Sequence, residues 1–271
     1  MKKIITYLFV ILICFIALVP FLWMLKSSLQ SMQELIAAPP IIVPRVLHFE
    51  NYVNGMRDYV PFVRYFFNSI VITLFIMIGH VTVSSLVAYP FSFLEFPGKN
   101  TLFAIMLATV MLPHAVTLVP LYLIFARLGW INTYLPLITP AFLGWPFFIF
   151  LIRQFMKGIP QSLIDSSRMD GCEEPRIWRS IIIPLCKPAL ITVALFSIIG
   201  SRSDFLRPLL YIRDQEKYTI TLGLQTMLSM EWVKWNEVMA VATLSTLPPL
   251  LLFLFFQKYF IEGAAFSGLK N

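Results

Sequence analysis

Three histidines, His48, His80 and His114, and three cysteines, Cys14, Cys172 and Cys186, are the side chains of this 271-residue sequence best suited to ligate a transition metal or act as nucleophiles. Their spacing fits neither task. The histidines are scattered without partners at ligand spacing, so a packed or solvated ring is the expected role of each, and no metal site is expected. An odd number of cysteines, with Cys172 and Cys186 in and just beyond one polar stretch, gives no disulfide framework. The G-x-x-x-x-G-K-[ST] run that cradles phosphates does not occur, nor does a Glu-x-x-His or nucleophile-elbow pattern. This chain is therefore not expected to hydrolyse a nucleotide by itself or to be an enzyme. One further set of charged groups stands out. Arg202, Asp204 and Arg207 cluster where an apolar run ends, and a guanidinium can grip a carboxylate or sulfate in a bidentate fork. Arg202 and Arg207 could thus attract an acidic solute. The rival explanation is an internal pair with Asp204 or Asp214, or snorkelling to the interface.

Composition decides where these residues must sit. With 58% hydrophobic and 13% charged residues, the chain has too little polar surface to cover a soluble globule, for which about 25% charge is usual. It reads as an all-α integral membrane protein. A net charge of +7 fits lysines and arginines flanking membrane spans, and no basic cluster interleaved with aromatics suggests nucleic acid. Six apolar runs are long enough to be spans, at about 4–25, 66–93, 101–125, 135–152, 184–201 and 238–257. The first continues as L-V-P-F-L-W-M-L-K beyond the length of a signal-peptide core and lacks a small-residue cleavage site, so it is expected to be a helix. The second carries Gly79, Ser84, Ser85 and Ala88, small enough to let a neighbouring helix approach. Pro113 and Pro120 interrupt the third, which is expected either to kink along a pathway or to be merely irregular. The spans lack the buried carboxylate or histidine chain of a proton-driven pump.

Between the fourth and fifth spans lies the longest polar interruption of the second half, residues 153–183. Pro160, then Ser162 with Asp165 three residues on, predicts a helix start with a capping box, and Gly171 predicts its end. Pro175 opens a second short helix through Ile177, Trp178 and Ile181, and Pro184 and Pro188 lead into the next span. Lysine and arginine divide almost evenly between the two sides of the membrane. The shorter segments and the Lys2-Lys3 pair favour both termini, and this loop, on the cytoplasmic side.

The run Asp165-Ser166-Ser167-Arg168-Met169-Asp170-Gly171-Cys172, followed by Ile183-Pro184-Leu185 and Pro188, resembles the Glu-Ala-Ala loop of binding-protein-dependent ABC importer permeases. Asp stands for Glu, two Ser for two Ala, and Cys for the Ala after Gly. Further landmarks include Pro20-Phe21-Leu22-Trp23-Met24, Asn51-Tyr52, Asn68-Ser69, Ala88-Tyr89, Phe96-Pro97-Gly98, Asp204-Phe205, Pro208-Leu209 and Gln257-Lys258-Tyr259-Phe260. Together they look like the shorter, six-helix permease of carbohydrate importers of the maltose type. The resemblance implies a single transmembrane permease domain over 1–271, in a bacterial cytoplasmic (inner) membrane. It implies a second, different permease, two ATPase subunits holding ATP and Mg, and an extracellular or periplasmic solute-binding protein as partners, with no cofactor in this chain. The loop would be the coupling helix, with Asp165, Ser166, Ser167, Met169, Asp170, Gly171, Cys172 and Pro184 meeting the ATPase. The tail 258–271, through Gly263 and Gly268, would reach into the ATPase dimer. Where the family has Trp-Asn and a further Trp, this chain has Arg202-Ser203 and Arg207, so specificity is expected there. The implied cargo is a sugar or oligosaccharide, for which Arg202 and Arg207 would suit a uronate-containing one, with a glycerol phosphoester as the alternative. A stand-alone secondary transporter is the rival of another class.

Overall fold

A computed structural model describes residues 2–59 and 61–268, which form helices and connecting turns. Four helical stretches are long and apolar enough to cross a membrane: Lys3–Ser28, Phe62–Phe93, Leu135–Met156 and Trp235–Gln257. Two bent pairs, Lys99–Met111 with Ala115–Arg127 and Glu174–Leu185 with Lys187–Ser203, bring the number to six if each pair is one span. By contacts the chain divides into two units, residues 1–67 with 219–248 and residues 68–218 with 249–271.

In the first unit, the Lys2–Ser28 helix ends in a polar knot. Asn51 donates through Nδ2 to the carbonyls of Ser28 and Gln30, both at 2.9 Å, and accepts from Asn236 Nδ2 at 2.8 Å. Gln30 Nε2 donates to the Ile41 carbonyl at 3.0 Å, and the Ser28 and Tyr52 hydroxyls lie 2.7 Å apart. Buried backbone carbonyls that have left a helix need donors, and Asn51 supplies two. This gives a physical role to the Asn51-Tyr52 landmark. His48 meets Glu50 at 2.5 Å, so its ring is satisfied outside any metal set.

The second unit contains the polar interruption and its supports. Its third apolar run is broken, because Leu112 precedes Pro113 and is driven to an extended conformation (φ −73°, ψ 120°). The two arms consequently meet at 100°. Pro120 is by contrast held inside the His114–Arg127 helix. The fourth run breaks after Thr139–Leu143 and restarts at Pro146, which occupies the first turn where its missing N–H costs nothing. Two apolar clusters fill the unit, one around Ile152, Met156, Ile164 and Ile177, the other around Ile72, Phe125, Leu137 and Tyr211. Polar rungs tie the Phe62–Phe93 and Lys187–Ser203 helices: the Thr73 and Ser201 hydroxyls at 3.0 Å, and His80 Nδ1 with the Ser197 hydroxyl at 3.0 Å.

Several boundaries differ from those expected. The Phe62–Phe93 helix starts a turn early, and Leu135–Met156 runs a turn past Ile152. The last helix, Trp235–Gly268, carries on through the segment expected to be a separate tail, while residues 269–271 fall outside those described. The reason is local: from Gln257 to Phe266 the sequence has no proline and no paired helix breakers, and Ser267-Gly268 comes only at the helix end.

Between helices in lipid, the gain comes from close packing, and Gly79 provides it as the small-residue pattern predicted. A Cβ at this position would stand 2.9 Å from Phe142 Cδ2 and 3.0 Å from the Ala141 backbone carbon. The ring can give way, but the backbone cannot. Gly200 is also helical, yet nothing lies within 4 Å of its would-be Cβ. Gly79→Leu should therefore destabilise the detergent-purified chain by about 1–3 kcal/mol, as overpacking does, while Gly200→Leu leaves the melting temperature nearly unchanged.

Candidate functional site

Residues 88–93, at the end of the Phe62–Phe93 helix, form the platform on which the polar interruption is mounted. The last carbonyls of a helix have no partner within it. Arg153, only 8% exposed, answers one by donating from Nε to the Phe91 carbonyl at 2.9 Å. Its guanidinium lies over the Phe103 ring, 3.9 Å from the centroid, so the buried cation has both a dipole and a π face against it. Lys99 Nζ answers another, the Leu94 carbonyl, at 2.7 Å. The Pro146–Met156 helix is thereby fastened to the platform just where the polar segment leaves it.

Beyond Lys157 the chain turns into the Gln161–Met169 helix. The predicted capping box does not form. Pro160 occupies the N-cap without a side-chain bond, and Ser162 lies inside the first turn. Asp165 instead accepts from Gln161 Nε2 and from Arg168 Nη1, each at 3.1 Å, because Arg168 is a better partner than a backbone N–H already directed along the helix. The predicted stop at Gly171 is present in full. Gly171 is left-handed (φ +78°), its N–H bonds the Arg168 carbonyl, and the Cys172 N–H bonds the Ser167 carbonyl, each at 3.0 Å. These paired bonds make a Schellman motif.

The helix divides cleanly into two faces. Ile164 and Ser167 turn inward, Ile164 into the core beside Met156 and Ile177, and Ser167 with its hydroxyl on the Leu163 carbonyl at 2.7 Å. Full burial of a side chain such as Ile164 contributes about 1.5–3 kcal/mol. Asp165, Ser166, Met169 and Asp170 face outward, with Met169 84% exposed. Cys172 is half-buried and Pro184 exposed. Next, Glu174–Ile177 passes into a π-helical turn over Trp178–Ile182, which bonds the Ile183 N–H to the Trp178 carbonyl. That wider turn precedes Pro184, which has no N–H to offer. At Cys186 the chain bends by 80° into Lys187–Ser203.

Sequence reasoning missed the side chain that joins this segment to the platform. Glu174 accepts from the Tyr89 hydroxyl through Oε2 at 2.5 Å and from Arg168 Nε through Oε1 at 2.8 Å. The Arg168 guanidinium holds the Glu174 carboxyl below the usual carboxylate range, and Glu174 in turn raises Arg168. A carboxylate with a lowered folded-state pKa contributes above its unfolded pKa and is lost as pH falls through the folded one, so the pair persists at neutral and mildly acidic pH. Ala88-Tyr89 is one of the landmarks of the family resemblance, but nothing local to it indicates a partner 85 residues away.

Arg202, Asp204 and Arg207 are all partly buried near the end of Lys187–Ser203. Asp204 Oδ2 accepts from Arg207 Nε at 2.5 Å and its Oδ1 from the Arg207 backbone N–H at 3.2 Å, which is the internal pairing weighed against solute binding. Asp204, one residue before the N-cap Phe205, thereby also takes up a first-turn N–H of the Leu206–Tyr211 helix. Gly263 and Gly268 lie in the last helix, and their surroundings are outside the described residues. Among the described residues, no three His, Cys, Asp or Glu side chains gather as a ligand set for a metal.

Residues 80–264 match the family described as "Binding-protein-dependent transport system inner membrane component". The chain is 34% identical over 266 residues to the arabinooligosaccharides transport system permease protein AraQ of Bacillus subtilis (strain 168), covering 97% of this chain and 94% of that protein. It is 30% identical over 275 residues to the trehalose/maltose transport system permease protein MalG of Thermococcus litoralis, covering 100% and 98%. Among solved structures, it superimposes with a TM-score of 0.81 on a chain of a bacterial ABC transporter involved in the import of the acidic polysaccharide alginate. At 23% identity, covering 95% of this chain and 96% of that one, the likeness is one of fold.

Since Gly171 has open space around it and a left-handed backbone, strain rather than collision decides what can replace it. A Cβ in that conformation costs about 1–2 kcal/mol, and asparagine tolerates it better than a β-branched residue. Gly171→Val should expose the loop to trypsin at Arg168 or Arg176, Gly171→Ala less, and Gly171→Asn least; equal cleavage of all three would refute the strain explanation.

Proposed function

The chain belongs to the binding-protein-dependent transport system inner membrane components, and we propose that it is the permease subunit of an ATP-driven importer of a sugar or oligosaccharide. In this reading it takes its cargo from a solute-binding protein and passes it across a bacterial cytoplasmic membrane by alternating access. Both termini would face the cytoplasm. One observation carries the proposal. The Gln161–Met169 helix is capped by a rigid turn, packed by its inner face on an apolar core, and bare along Asp165, Ser166, Met169 and Asp170.

Such a knob suits a cleft in a separate ATPase subunit. A helix seated in a cleft converts closure of an ATPase dimer into rigid-body motion of the spans, opening one membrane face while closing the other. Met169, unbranched and exposed, is the natural side chain to fill an irregular pocket. Ser166 keeps the contact face low, Ser167 and Cys172 pack its base, and Gly171 and Pro184 set the exits. ATP and Mg would sit in two ATPase copies, and a second, different permease would complete the pathway. Gly263 and Gly268 are proposed as further ATPase contacts.

The names of the relatives favour an oligosaccharide as cargo. Within that class the pairing of Arg207 with Asp204 favours an uncharged sugar at this point over an acidic one, since the guanidinium already has a carboxylate. A uronate-containing oligosaccharide or a glycerol phosphoester would need Arg202 or a reorganised Arg207.

Two outcomes are expected. Gly171→Asp places a charge on the exposed turn, and it should abolish both uptake and co-purification of the ATPase while the chain still inserts; retained uptake would remove the coupling role, and a chain that transports with no ATPase would be a secondary transporter. In uptake assays with arabinotriose, a uronate trisaccharide and glycerol 3-phosphate, Arg207→Ala should leave neutral sugar uptake within about two-fold, a change of under 0.5 kcal/mol. Selective loss of the acidic solutes would instead assign Arg207 to the cargo.

A further inference from the structure

We propose that Tyr89, Glu174 and Arg168 form a latch that makes the Gln161–Met169 helix move as one body with the end of the Phe62–Phe93 helix. The inference rests on the ATPase-docking reading above and concerns how motion received there enters the membrane.

A short helix anchored by one buried side chain can pivot about it. Ile164 and Ser167 are the buried residues of Gln161–Met169, and Ser167 spends its hydroxyl on its own helix. Apolar contact at Ile164 therefore fixes position better than direction. Arg168 stands four residues after Ile164, on the same side of the helix and one turn along. Its bond to Glu174 supplies the second point that fixes direction.

Glu174 has the chemistry of a bridge. Each of its oxygens takes a different donor, Tyr89 on one and Arg168 on the other, so a single carboxylate joins the loop helix to the platform. Asp165 and Gln161 splint Arg168 from the far side. The Arg168 and Glu174 side chains are 32% and 40% exposed, and ion pairs so open to solvent add little to global stability. A group of this kind, spanning two elements at low energetic weight, is suited to orientation. Tyr89, Glu174 and Arg168 are thus positioning residues.

The test uses the complex isolated through a tag on this chain and placed in nanodiscs. Cys14→Ser, Cys172→Ser and Cys186→Ala remove the native thiols, and Ser162→Cys and Glu95→Cys carry nitroxide labels, one on each body. Pulsed electron–electron resonance then reads the label separation without nucleotide and after trapping with ATP and vanadate. With the latch intact, one separation should persist in both conditions. Tyr89→Phe and Glu174→Gln should each produce a second, displaced population on trapping, and Arg168→Lys should restore part of the single population seen with Arg168. Traces in Tyr89→Phe and Glu174→Gln that match the latch-intact protein in both conditions would overturn the proposal, as would two populations with the latch intact. If no ATPase accompanies the isolated complex, the docking reading fails. The nucleotide-free traces then judge the latch alone: broadening in the variants supports it, and none overturns it.

Discussion

The end of the Phe62–Phe93 helix has carbonyls to satisfy at a place where the chain must also leave an apolar environment, and that constraint organises the second unit. Arg153 and Lys99 answer the Phe91 and Leu94 carbonyls with cations, the sign of charge that a helix C-terminus favours. Burying a guanidinium is costly unless it is bonded and paired, and here Phe91 and Phe103 offset the cost together. The result is a stiff corner of three helical segments. Because Arg153 is also the last turn of its own helix, the same bond sets the point from which the polar loop departs. A function that depends on pushing or pulling that loop needs a corner of this kind beneath it.

From the corner outward the interactions grow weaker and more exposed. Ile164 and Ile177 are buried fully, Ser167 nearly so, Glu174 and Arg168 partly, and Met169 hardly at all. That gradient is what a docking element requires. Its base must be rigid to transmit force, while its tip must stay unsatisfied by its own chain so that a partner can contribute the missing contacts. Gly171 ends the helix with bonds rather than bulk, which keeps the tip narrow.

Much of this was legible in the sequence, for physical reasons that differ from residue to residue. Apolar runs near bilayer length and the break at Pro113 follow from hydropathy and from the restriction a proline places on its predecessor. The Gly171 stop was readable because a left-handed turn strongly selects glycine. The start of the same helix was misread: Ser162 and Asp165 have the spacing of a capping box, but Arg168 and Gln161 compete for Asp165, and a local pattern cannot tell which bond wins. The final helix was stopped too soon, since a shift to polar composition after Gln257 signals a membrane boundary and not the end of a helix. The bridge from Tyr89 to Glu174 was out of reach altogether, for it joins residues 85 positions apart and neither is unusual in its own neighbourhood. Asp204 and Arg207 are the converse case, because an internal pair with Asp204 or Asp214 is one of the readings the sequence leaves open, and the pair with Asp204 is what forms.

The central claim is that the outer face of Gln161–Met169 is occupied by an ATPase subunit. Replacing Met169 with a photo-crosslinking amino acid and irradiating cells that produce the intact transporter tests it most directly. A covalent adduct between this chain and the nucleotide-binding subunit, lost when the label is moved to buried Ile164, is the expected result. Adducts to lipid or to a second permease, with none to a nucleotide-binding protein, would contradict it.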